Sequence, residues 1–196
     1  MKIYFVTNNT SKAAELQDYL ASAPPLGPDL QIVVFQSELF EVLDCDIDRI
    51  VTNKALDAFQ RVGLPCVVEH SGLFMDALPG LPGGLGQTIW RSIGDRMCGF
   101  LRDSDSRAAT ARSVIGYCDG RRVTLFHGET RGQIAQRAQG GHSFNWDPIF
   151  IPDGSEHTYG EMDMAAKRAT SPVHKAWDAF ITTVSATRET TPPRGT

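Results

Sequence analysis

The 196-residue chain is 41% hydrophobic and 21% charged, a composition that suits one compact domain with a full core, or two small lobes around a cleft. Its net charge is -4 and its 19 lysines and arginines are scattered, which excludes a basic surface that follows a long nucleic acid. The four cysteines form no CxxC pair, so we expect reduced thiols and neither a zinc knuckle nor a disulfide framework. No apolar run approaches the roughly 18 residues of a membrane span, and we therefore expect a cytoplasmic protein with no membrane partner.

The first half of the chain predicts a strand, a helix, a second strand and a second helix. Apart from Lys2, residues 2–6 are apolar, aromatic or β-branched and predict a strand. The polar turn after them suits the N-cap of a helix from about Ser11 to Leu20. A proline-rich segment separates this helix from a strand over 30–35. Apolar residues at three- and four-residue spacing then predict an amphipathic helix over 47–62, which Gly63 ends.

The second half predicts shorter elements and one hairpin. Asp119-Gly120 lies between two apolar runs, which is typical of an antiparallel hairpin. The predicted elements are a short strand over 66–68, a helix over 87–101, strands over 113–118, 123–127 and 149–151, and a final helix over 171–184. We expect one domain over 1–186 and a flexible tail over 187–196, because that tail has two prolines and few apolar residues.

Three features of the first half carry possible chemistry. The turn at residues 7–11 precedes a helix, where backbone N–H groups and the helix dipole attract anions, and Lys12 adds a cation. Helix capping explains the same turn residues. Lys54 taken alone is expected to be solvated. Glu41, with the aspartates at 44, 46 and 48, forms an acidic patch that suits Mg²⁺, although an acidic loop that caps the next helix explains the aspartates equally well.

A set of motifs in fixed order resembles the Ham1 or inosine triphosphate pyrophosphatase family over almost the whole chain, from residue 3 to about residue 182. The motifs are T-N-N-T-S-K (7–12), L-F-E (39–41), Lys54, E-H-S-G-L (69–73), D-A-L-P-G-L-P-G (76–83), F-H-G-E-T-R-G-Q-I (126–134), F-N-W-D-P-I-F (144–150), T-Y-G-E-M (158–162) and Lys167. The resemblance implies an α/β fold with a long twisted mixed β-sheet, flanking helices and two lobes around a central nucleotide cleft. It also implies a homodimer that cleaves non-canonical purine nucleoside triphosphates to monophosphate and pyrophosphate, with Mg²⁺ as cofactor and Mn²⁺ as an alternative.

The same resemblance assigns roles to individual residues. At the phosphate end, Glu41 would ligate the metal, Lys54 would reach a phosphate, and Lys12 would act in catalysis. The residues that would line the polyphosphate or bind near it are Thr7, Asn8, Asn9, Thr10, Ser11, Lys12 and Ser71. At the base end, Phe144 would stack on the base, and Asp147 would accept its hydrogen bonds. The other implied contacts at or near the base end are Trp90, Asn145, Trp146 and Lys167.

The chain departs from the family at the residue that should matter most. The family has an acidic residue, then Asp, then Ser or Thr, then Gly at the end of the third strand, and this chain has His70 in place of the Asp. Imidazole is a poor ligand for Mg²⁺. As a catalytic base it suits neutral pH, with an ordinary pKa near ~6.5. Glu69 replaces the lost carboxylate only if the strand ends early, since neighbouring strand residues point to opposite faces.

The base end departs from the family as well. The family's His-Arg pair, which reads the six-keto edge of the purine, is replaced by Pro172 and Val173. His174 and Lys175 follow, but about 100° of helix rotation per residue turns them to another face. Asn145 stands where the family has glycine, so we expect that its side chain crowds the base or that it takes a left-handed backbone, which Asn tolerates.

These departures leave two hypotheses. The first is an active nucleoside triphosphate pyrophosphatase that uses His70 as its base and has an altered metal site and substrate range. The second is a catalytically silent relative that binds nucleotide or a protein partner.

Overall fold

The structure is a computed structural model that describes residues 1–23, 26, 30–141 and 145–189. The elements in chain order are β1 (Lys2–Val6), α1 (Thr10–Ser22), β2 (Gln31–Phe35), α2 (Ile47–Val62), β3 (Cys66–Met75), β4 (Pro82–Gly83), α3 (Gly86–Ile93), a 3-10 helix (Gly94–Phe100), β5 (Ala108–Cys118), β6 (Val123–Ile134), a 3-10 turn (Asp147–Ile149), β7 (Phe150–Pro152), α4 (Met164–Thr170) and α5 (Pro172–Glu189).

The seven strands form one mixed sheet in the order β2-β1-β3-β5-β6-β7, with β4 paired to β3. Strand β1 is parallel to both β2 and β3, whereas β3, β5 and β6 form long antiparallel ladders. The predicted α/β class with a long mixed sheet and flanking helices is confirmed.

Three apolar clusters divide the molecule into two lobes. In the first lobe, one cluster joins α1 and α5 to one face of the sheet, around Phe5 and Trp177. A second cluster packs α2 on the opposite face, around Val51 and Val68. The third cluster forms the second lobe and contains Leu73 and Met75 from the far half of β3. The long strands therefore run from one lobe into the other.

The short strand predicted over 66–68 was too short by seven residues, because β3 continues to Met75. Its polar residues resemble a strand end in the sequence, but in the structure Glu69 and His70 both find polar partners inside the protein. The strand crosses from the first lobe to the second at this polar segment, which consequently lies in the middle of the sheet.

Two other expectations need correction. The helix predicted over 87–101 ends at Ile93, because Gly94 has a left-handed backbone with φ of 58°, and a 3-10 helix follows. Helix α4 was missed, although Asp163 caps it by accepting a hydrogen bond from the Ala166 N–H. Helix α5 continues through Glu189, beyond the predicted end, and the rest of the predicted tail lies outside the described residues.

Candidate active site

A polar cleft of about 580 Å³ opens where β1 ends between α1 and α2. Strand β1 pairs with β3 only through Tyr4 and Phe5, so the β3 edge beyond Val68 has no β1 residue beside it. The cleft is lined by Thr7, Asn8, Asn9, Thr10, Ser11, Lys12, Glu38, Leu39, Glu41, Lys54, Gln87, Arg91 and Asn145. The structure therefore brings the whole predicted turn together with Glu41 and Lys54.

The predicted turn caps helix α1. The Asn9 side chain accepts hydrogen bonds from the backbone N–H groups of Ser11 and Lys12, at 3.0 and 3.3 Å. The N–H of Asn9 in turn donates to the hydroxyl of Thr7 at 3.1 Å. The capping interpretation is thus correct, and the capped helix end still faces the cleft, where its dipole attracts an anion.

Lys12 forms a buried ion pair with Glu69. The Lys12 Nζ lies 2.7 Å from Glu69 Oε2, and the two side chains are 9% and 3% exposed. Ser71 and Ser113 both donate to Glu69 Oε1, at 2.5 and 2.9 Å. Burial alone would raise the pKa of Glu69, but Lys12 and the hydroxyl groups outweigh it and lower this pKa, so the carboxylate is ionised.

Lys54 reaches the same point from the other face of the sheet. Its Nζ lies 2.7 Å from Glu41 Oε2 and 3.4 Å from the backbone oxygen of Glu69, which also accepts from Lys12 at 3.2 Å. Burial, followed by the positive charge of Lys12, lowers the pKa of Lys54. The expectation of a solvated Lys54 was wrong, because its side chain is only 12% exposed. Two ammonium groups converge on one carbonyl oxygen at the edge of the cleft.

His70 lies on the α2 face of β3, opposite to Glu69, as strand alternation predicts. Its ring is 2% exposed, and Nε2 lies 2.8 Å from the backbone oxygen of Gly84. A carbonyl only accepts, so Nε2 carries the proton of this hydrogen bond. The other ring nitrogen, Nδ1, lies 3.7 Å from Glu41 Oε2. Although burial opposes ionisation, His70 and Lys54 hold the pKa of Glu41 well below its usual range.

A close backbone approach brings the Gly84 carbonyl to His70. A Cβ on Gly84 would lie 2.3 Å from Ile50 Cδ1 and 2.8 Å from the Asp44 oxygen. The Gly84 N–H also donates to the Cys45 oxygen at 2.9 Å. Only glycine fits here without displacing the loop or α2.

The acidic patch near Glu41 has a structural role. Asp46 caps α2 by accepting from the N–H groups of Asp48 and Arg49, and Asp44 forms an ion pair with Arg49 at 3.1 Å. Within the described residues, no group of three or more His, Cys, Asp or Glu side chains is placed to hold a metal ion. The alternative that the aspartates belong to a helix-capping loop is therefore the better one.

At the predicted base end, Asp147 and Lys167 form an ion pair of 2.5 Å, with side chains 7% and 18% exposed. Trp146 is buried and its ring packs edge-on against Phe150. Asn145 has φ of 53°, the left-handed conformation expected where the family has glycine. Phe144 lies outside the described residues.

The residues at 172 and 173 belong to the packing of α5. Pro172 is the first residue of the helix, and Val173 is 8% exposed within the first-lobe core. His174 packs edge-on against the ring of Tyr19 at 5.2 Å, and Lys175 donates to the Glu129 oxygen at 2.8 Å. Burial lowers the pKa of His174. His174 is thus engaged with α1, and Lys175 with β6.

Two predicted site residues support the cleft without lining it, and one residue near the site was not predicted. Trp90 packs against the second-lobe core, while Gln87 and Arg91 of the same helix line the cleft. Ser71 is engaged with Glu69. Sequence reasoning passed over Glu15, whose spacing of three from Lys12 places it on the same face of α1.

Glu15 stands electrostatically between the two ends of the site. Burial and the negative charges of Glu69 and Asp147 raise its pKa, while Lys167 and Lys12 lower it. The net result is a pKa of about 7. Its spacing from Lys12 was the only sequence signal for this position.

Comparison with known proteins gives the origin of this arrangement. The family model described as "Ham1 family" matches residues 3–183. A dITP/XTP pyrophosphatase of Pyrococcus horikoshii is 35% identical over 183 residues, covering 92% of this chain and 95% of that protein. The dITP/XTP pyrophosphatase of Methanopyrus kandleri is 33% identical, with 92% and 94% covered.

Solved structures share the fold. A nucleoside-triphosphatase or dITP/XTP pyrophosphatase of Mycobacterium abscessus superposes with a TM-score of 0.72 at 27% identity, covering 94% of this chain and 100% of that one. No helix among the described residues has the length and apolar character needed to cross a membrane.

The Ham1 protein of Staphylococcus aureus gives a TM-score of 0.76 at 19% identity, with 94% of this chain and 99% of that one covered. By the extent of the family-model match and of the relatives' identity, the chain belongs to the Ham1 family.

Proposed function

We propose that this chain is a nucleoside triphosphate pyrophosphatase that hydrolyses non-canonical purine nucleoside triphosphates, such as ITP, dITP and XTP, to the monophosphate and pyrophosphate. The observation that carries the proposal is the convergence of Lys12 and Lys54 on the Glu69 carbonyl, beside the N-terminus of α1. Helix N-termini and lysines bind phosphate groups, and a triphosphate needs several such contacts in a row. Relatives named dITP/XTP pyrophosphatases support the substrate class.

In the proposed reaction, a water oxygen attacks the α-phosphorus, and the bond from this phosphorus to the oxygen that bridges it to the β-phosphorus breaks. Negative charge then develops on the pyrophosphate that leaves. Lys12 and Lys54 neutralise this charge when the phosphate chain replaces their contact with the Glu69 carbonyl. Glu69, held by Ser71 and Ser113, keeps Lys12 in place. His70 Nδ1 and Glu41 supply acceptor atoms at the hydrolytic end of the cleft.

The divalent ion implied by the family resemblance finds an altered site here. Mg²⁺ prefers carboxylate and water oxygens in octahedral geometry, and Mn²⁺ likewise favours oxygen ligands. Glu41 is a carboxylate at this point, but it is paired with Lys54 and faces an imidazole. The protein groups present do not fit a Mg²⁺ or Mn²⁺ site, and the roles of Lys12 and Lys54 above need neither ion.

At the other end of the cleft, Phe144 and Trp146 are proposed to bracket the purine, with Asn145 in the left-handed turn between them. Asp147 would accept a hydrogen bond from a base N–H while Lys167 holds its carboxylate. Because Pro172 and Val173 supply no side-chain donor, we expect weaker discrimination of the six-keto group than His and Arg would give. Trp90 would support this end from the second-lobe core.

The test is pyrophosphate release by the purified chain from ITP, dITP, XTP, dUTP, ATP and GTP, with the divalent ion varied. We expect release from the non-canonical purines, and at least about a hundredfold loss in Lys54→Met, which removes one phosphate contact. The matched control is Lys175→Met, whose ammonium contacts Glu129 and Thr130 outside the cleft.

The silent-relative hypothesis makes the opposite prediction. The absence of a donor at 172 and 173 is the observation in its favour. No pyrophosphate release with any ion, together with retained nucleotide binding by calorimetry, would establish it. The next step would then be to look for the protein partner that a catalytically silent relative binds.

Assembly and location complete the proposal. We propose a single domain over 1–186 in a cytoplasmic protein that forms the homodimer implied by the resemblance. Sedimentation equilibrium of the purified chain tests the dimer.

A further inference from the structure

Helix α4 depends on polar side chains for its position. It has seven residues, and none of them is buried. A helix of this length is not stable by itself in water. Its position must therefore come from side-chain contacts with the rest of the protein.

Two neighbouring residues of α4 bind different lobes. Successive helix residues point about 100° apart, and Lys167 accordingly reaches Asp147 while Arg168 reaches Asp18. Asp147 belongs to the 3-10 turn that packs in the second-lobe core, whereas Asp18 lies on α1, which packs in the first-lobe core. Helix α4 therefore ties one lobe to the other beside the proposed base end.

The pair between Arg168 and Asp18 is the more directional of the two. Arg168 Nε donates to Asp18 Oδ2 at 2.6 Å, and Arg168 Nη2 donates to Asp18 Oδ1. Such a two-point contact fixes the orientation of both side chains, which a lysine ammonium does not. Because the side chains are 33% and 28% exposed, the pair should add little to the free energy of unfolding. Its main effect is then on where α4 lies.

Helix α1 is anchored independently of α4. The Tyr19 hydroxyl donates to Asp178 of α5 at 2.7 Å, and Lys12 forms the buried ion pair with Glu69. Both contacts remain when α4 moves. Helix α1 is thus a fixed support on which Arg168 can hold α4.

Helix α4 has another anchor at its C-terminal end. The Thr170 backbone oxygen accepts hydrogen bonds from the hydroxyl groups of Tyr159, at 3.1 Å, and of Thr130. Without the Arg168 pair, α4 keeps this anchor and the Lys167 contact but loses its link to α1. We expect the turn that carries Lys167 to move more freely, while the protein stays folded.

We propose that Arg168 is a positioning residue, whose two-point contact with Asp18 holds α4, and with it the Lys167–Asp147 pair, in place relative to α1. The consequence for base binding rests on the proposed function, in which Asp147 accepts a hydrogen bond from the base. The placement of α4 does not rest on it. If the pair is only a solvated surface contact, its removal changes neither.

Two measurements on purified Arg168→Met and Asp18→Asn test the proposal. The first is hydrogen exchange of the α4 backbone, including the Lys167 N–H that donates to the Asp163 oxygen. We expect this exchange to be at least about fivefold faster in both variants. The second is hydrolysis of XTP, for which KM should rise about tenfold while kcat and tripolyphosphate affinity change less than about twofold.

Two further variants serve as controls. Asp18→Arg/Arg168→Asp reverses both charges and should recover most of the exchange protection and of the KM, which a general loss of stability would not allow. Arg61→Met removes a similar pair, in which Arg61 Nε lies 2.8 Å from Asp57 Oδ2 on α2. It should leave the exchange of α4 and the KM unchanged. If Arg168→Met does not fold, Asp18→Asn decides the question.

Unchanged exchange in α4, no recovery on charge reversal, or faster exchange with an unchanged KM overturns the proposal. An equal loss of tripolyphosphate affinity overturns it as well. Failure of the proposed function is distinguishable. Hydrolysis of XTP by the parent without faster exchange in Arg168→Met refutes the positioning role alone, whereas faster exchange that charge reversal corrects, with no hydrolysis by the parent, refutes the function alone.

Discussion

The proposed phosphate end and the proposed base end of the site differ in what holds their functional groups. At the phosphate end, Lys12 and Lys54 come from two helices on opposite faces of the sheet and meet at the edge of β3. At the base end, one ion pair, between Asp147 and Lys167, remains beside positions where the family's donors have become Pro172 and Val173. The phosphate end follows from how β1, β3 and the helices are arranged, while the base end depends on a few side chains of local turns.

This contrast indicates which part of such a site tolerates change. A phosphate chain is recognised by charge and by helix N-termini, which the fold supplies as long as α1 and α2 stay in place. A purine is recognised by hydrogen bonds to specific atoms, and one lost donor changes the choice of base. Lys12→Ala, Glu15→Gln, Asp147→Asn and Asp46→Ala each test this separation of the two ends.

The largest effect is expected for Lys12→Ala, which leaves the buried Glu69 carboxylate without its ammonium partner. We expect a loss of about 3–5 kcal/mol in the free energy of unfolding and about a 30-fold loss of tripolyphosphate affinity. Urea denaturation and calorimetry measure the two quantities.

The double variant Lys12→Ala/Glu69→Gln separates folding from binding. The introduced amide retains an oxygen for Ser71 and Ser113 but carries no charge, so most of the lost stability should return while the affinity stays low. Recovery of tripolyphosphate binding along with stability would refute a direct contact between Lys12 and phosphate.

Glu15 tests whether the two ends are electrostatically separate, because charges of both act on it. Its pKa is raised from 4.5 to about 7, so the folded protein binds this proton more tightly than the unfolded chain does. The resulting stabilisation is complete below pH 4.5 and is lost as the pH rises through about 7, a change of about 3 kcal/mol.

Glu15→Gln should remove this part of the pH dependence. We expect the variant to be more stable than the parent at pH 8 by about 3 kcal/mol, and its stability to change less between pH 4.5 and 7. Chemical denaturation at a series of pH values measures the free energy of unfolding of parent and variant. Glu156→Gln is the surface control, since Glu156 is exposed. Parallel stability curves for parent and Glu15→Gln would contradict the raised pKa.

Asp147→Asn separates the base end from the phosphate end. The amide cannot form the same ion pair with Lys167, and it offers the base a donor as well as an acceptor. We expect kcat/KM for XTP and ITP to fall about tenfold, while tripolyphosphate affinity changes less than about twofold. A matching loss of tripolyphosphate affinity would show that the two ends are one unit.

The smallest effect concerns the acidic patch. Asp46→Ala removes the N-cap of α2 and should cost about 1 kcal/mol of stability. Thermal unfolding measures the loss, and tripolyphosphate affinity should be unchanged, because the Asp46 carboxylate is engaged with the N–H groups of Asp48 and Arg49. A matching loss of tripolyphosphate affinity in this variant would show that the acidic patch contributes to the phosphate site.

The fold was largely predictable, since periodicity and turn residues located α1, α2, α5 and the β5–β6 hairpin. The length of β3 was not predictable, because the polar side chains in its middle are paired with residues that are distant in the chain. Glu69 is 57 residues from Lys12 and 44 from Ser113. No local pattern shows that such partners exist.

The site was predictable to the extent that family motifs marked it. The motifs predicted that the turn at 7–12, Glu41 and Lys54 belong to one site, and in the structure these residues line the same cleft. Position along the chain did not reveal that Lys54 is buried, or that Gln87 and Arg91 line the cleft while Trp90 packs against the second-lobe core. Each depends on how two elements pack together, which a single sequence leaves open.

The proposed reaction requires that water attack the α-phosphorus of a bound purine nucleoside triphosphate. Hydrolysis of XTP or ITP in ¹⁸O-labelled water, followed by mass spectrometry of the products, tests this step directly. We expect one ¹⁸O atom in the nucleoside monophosphate and none in the pyrophosphate. Label in the pyrophosphate, or release of orthophosphate with a labelled oxygen, would contradict it.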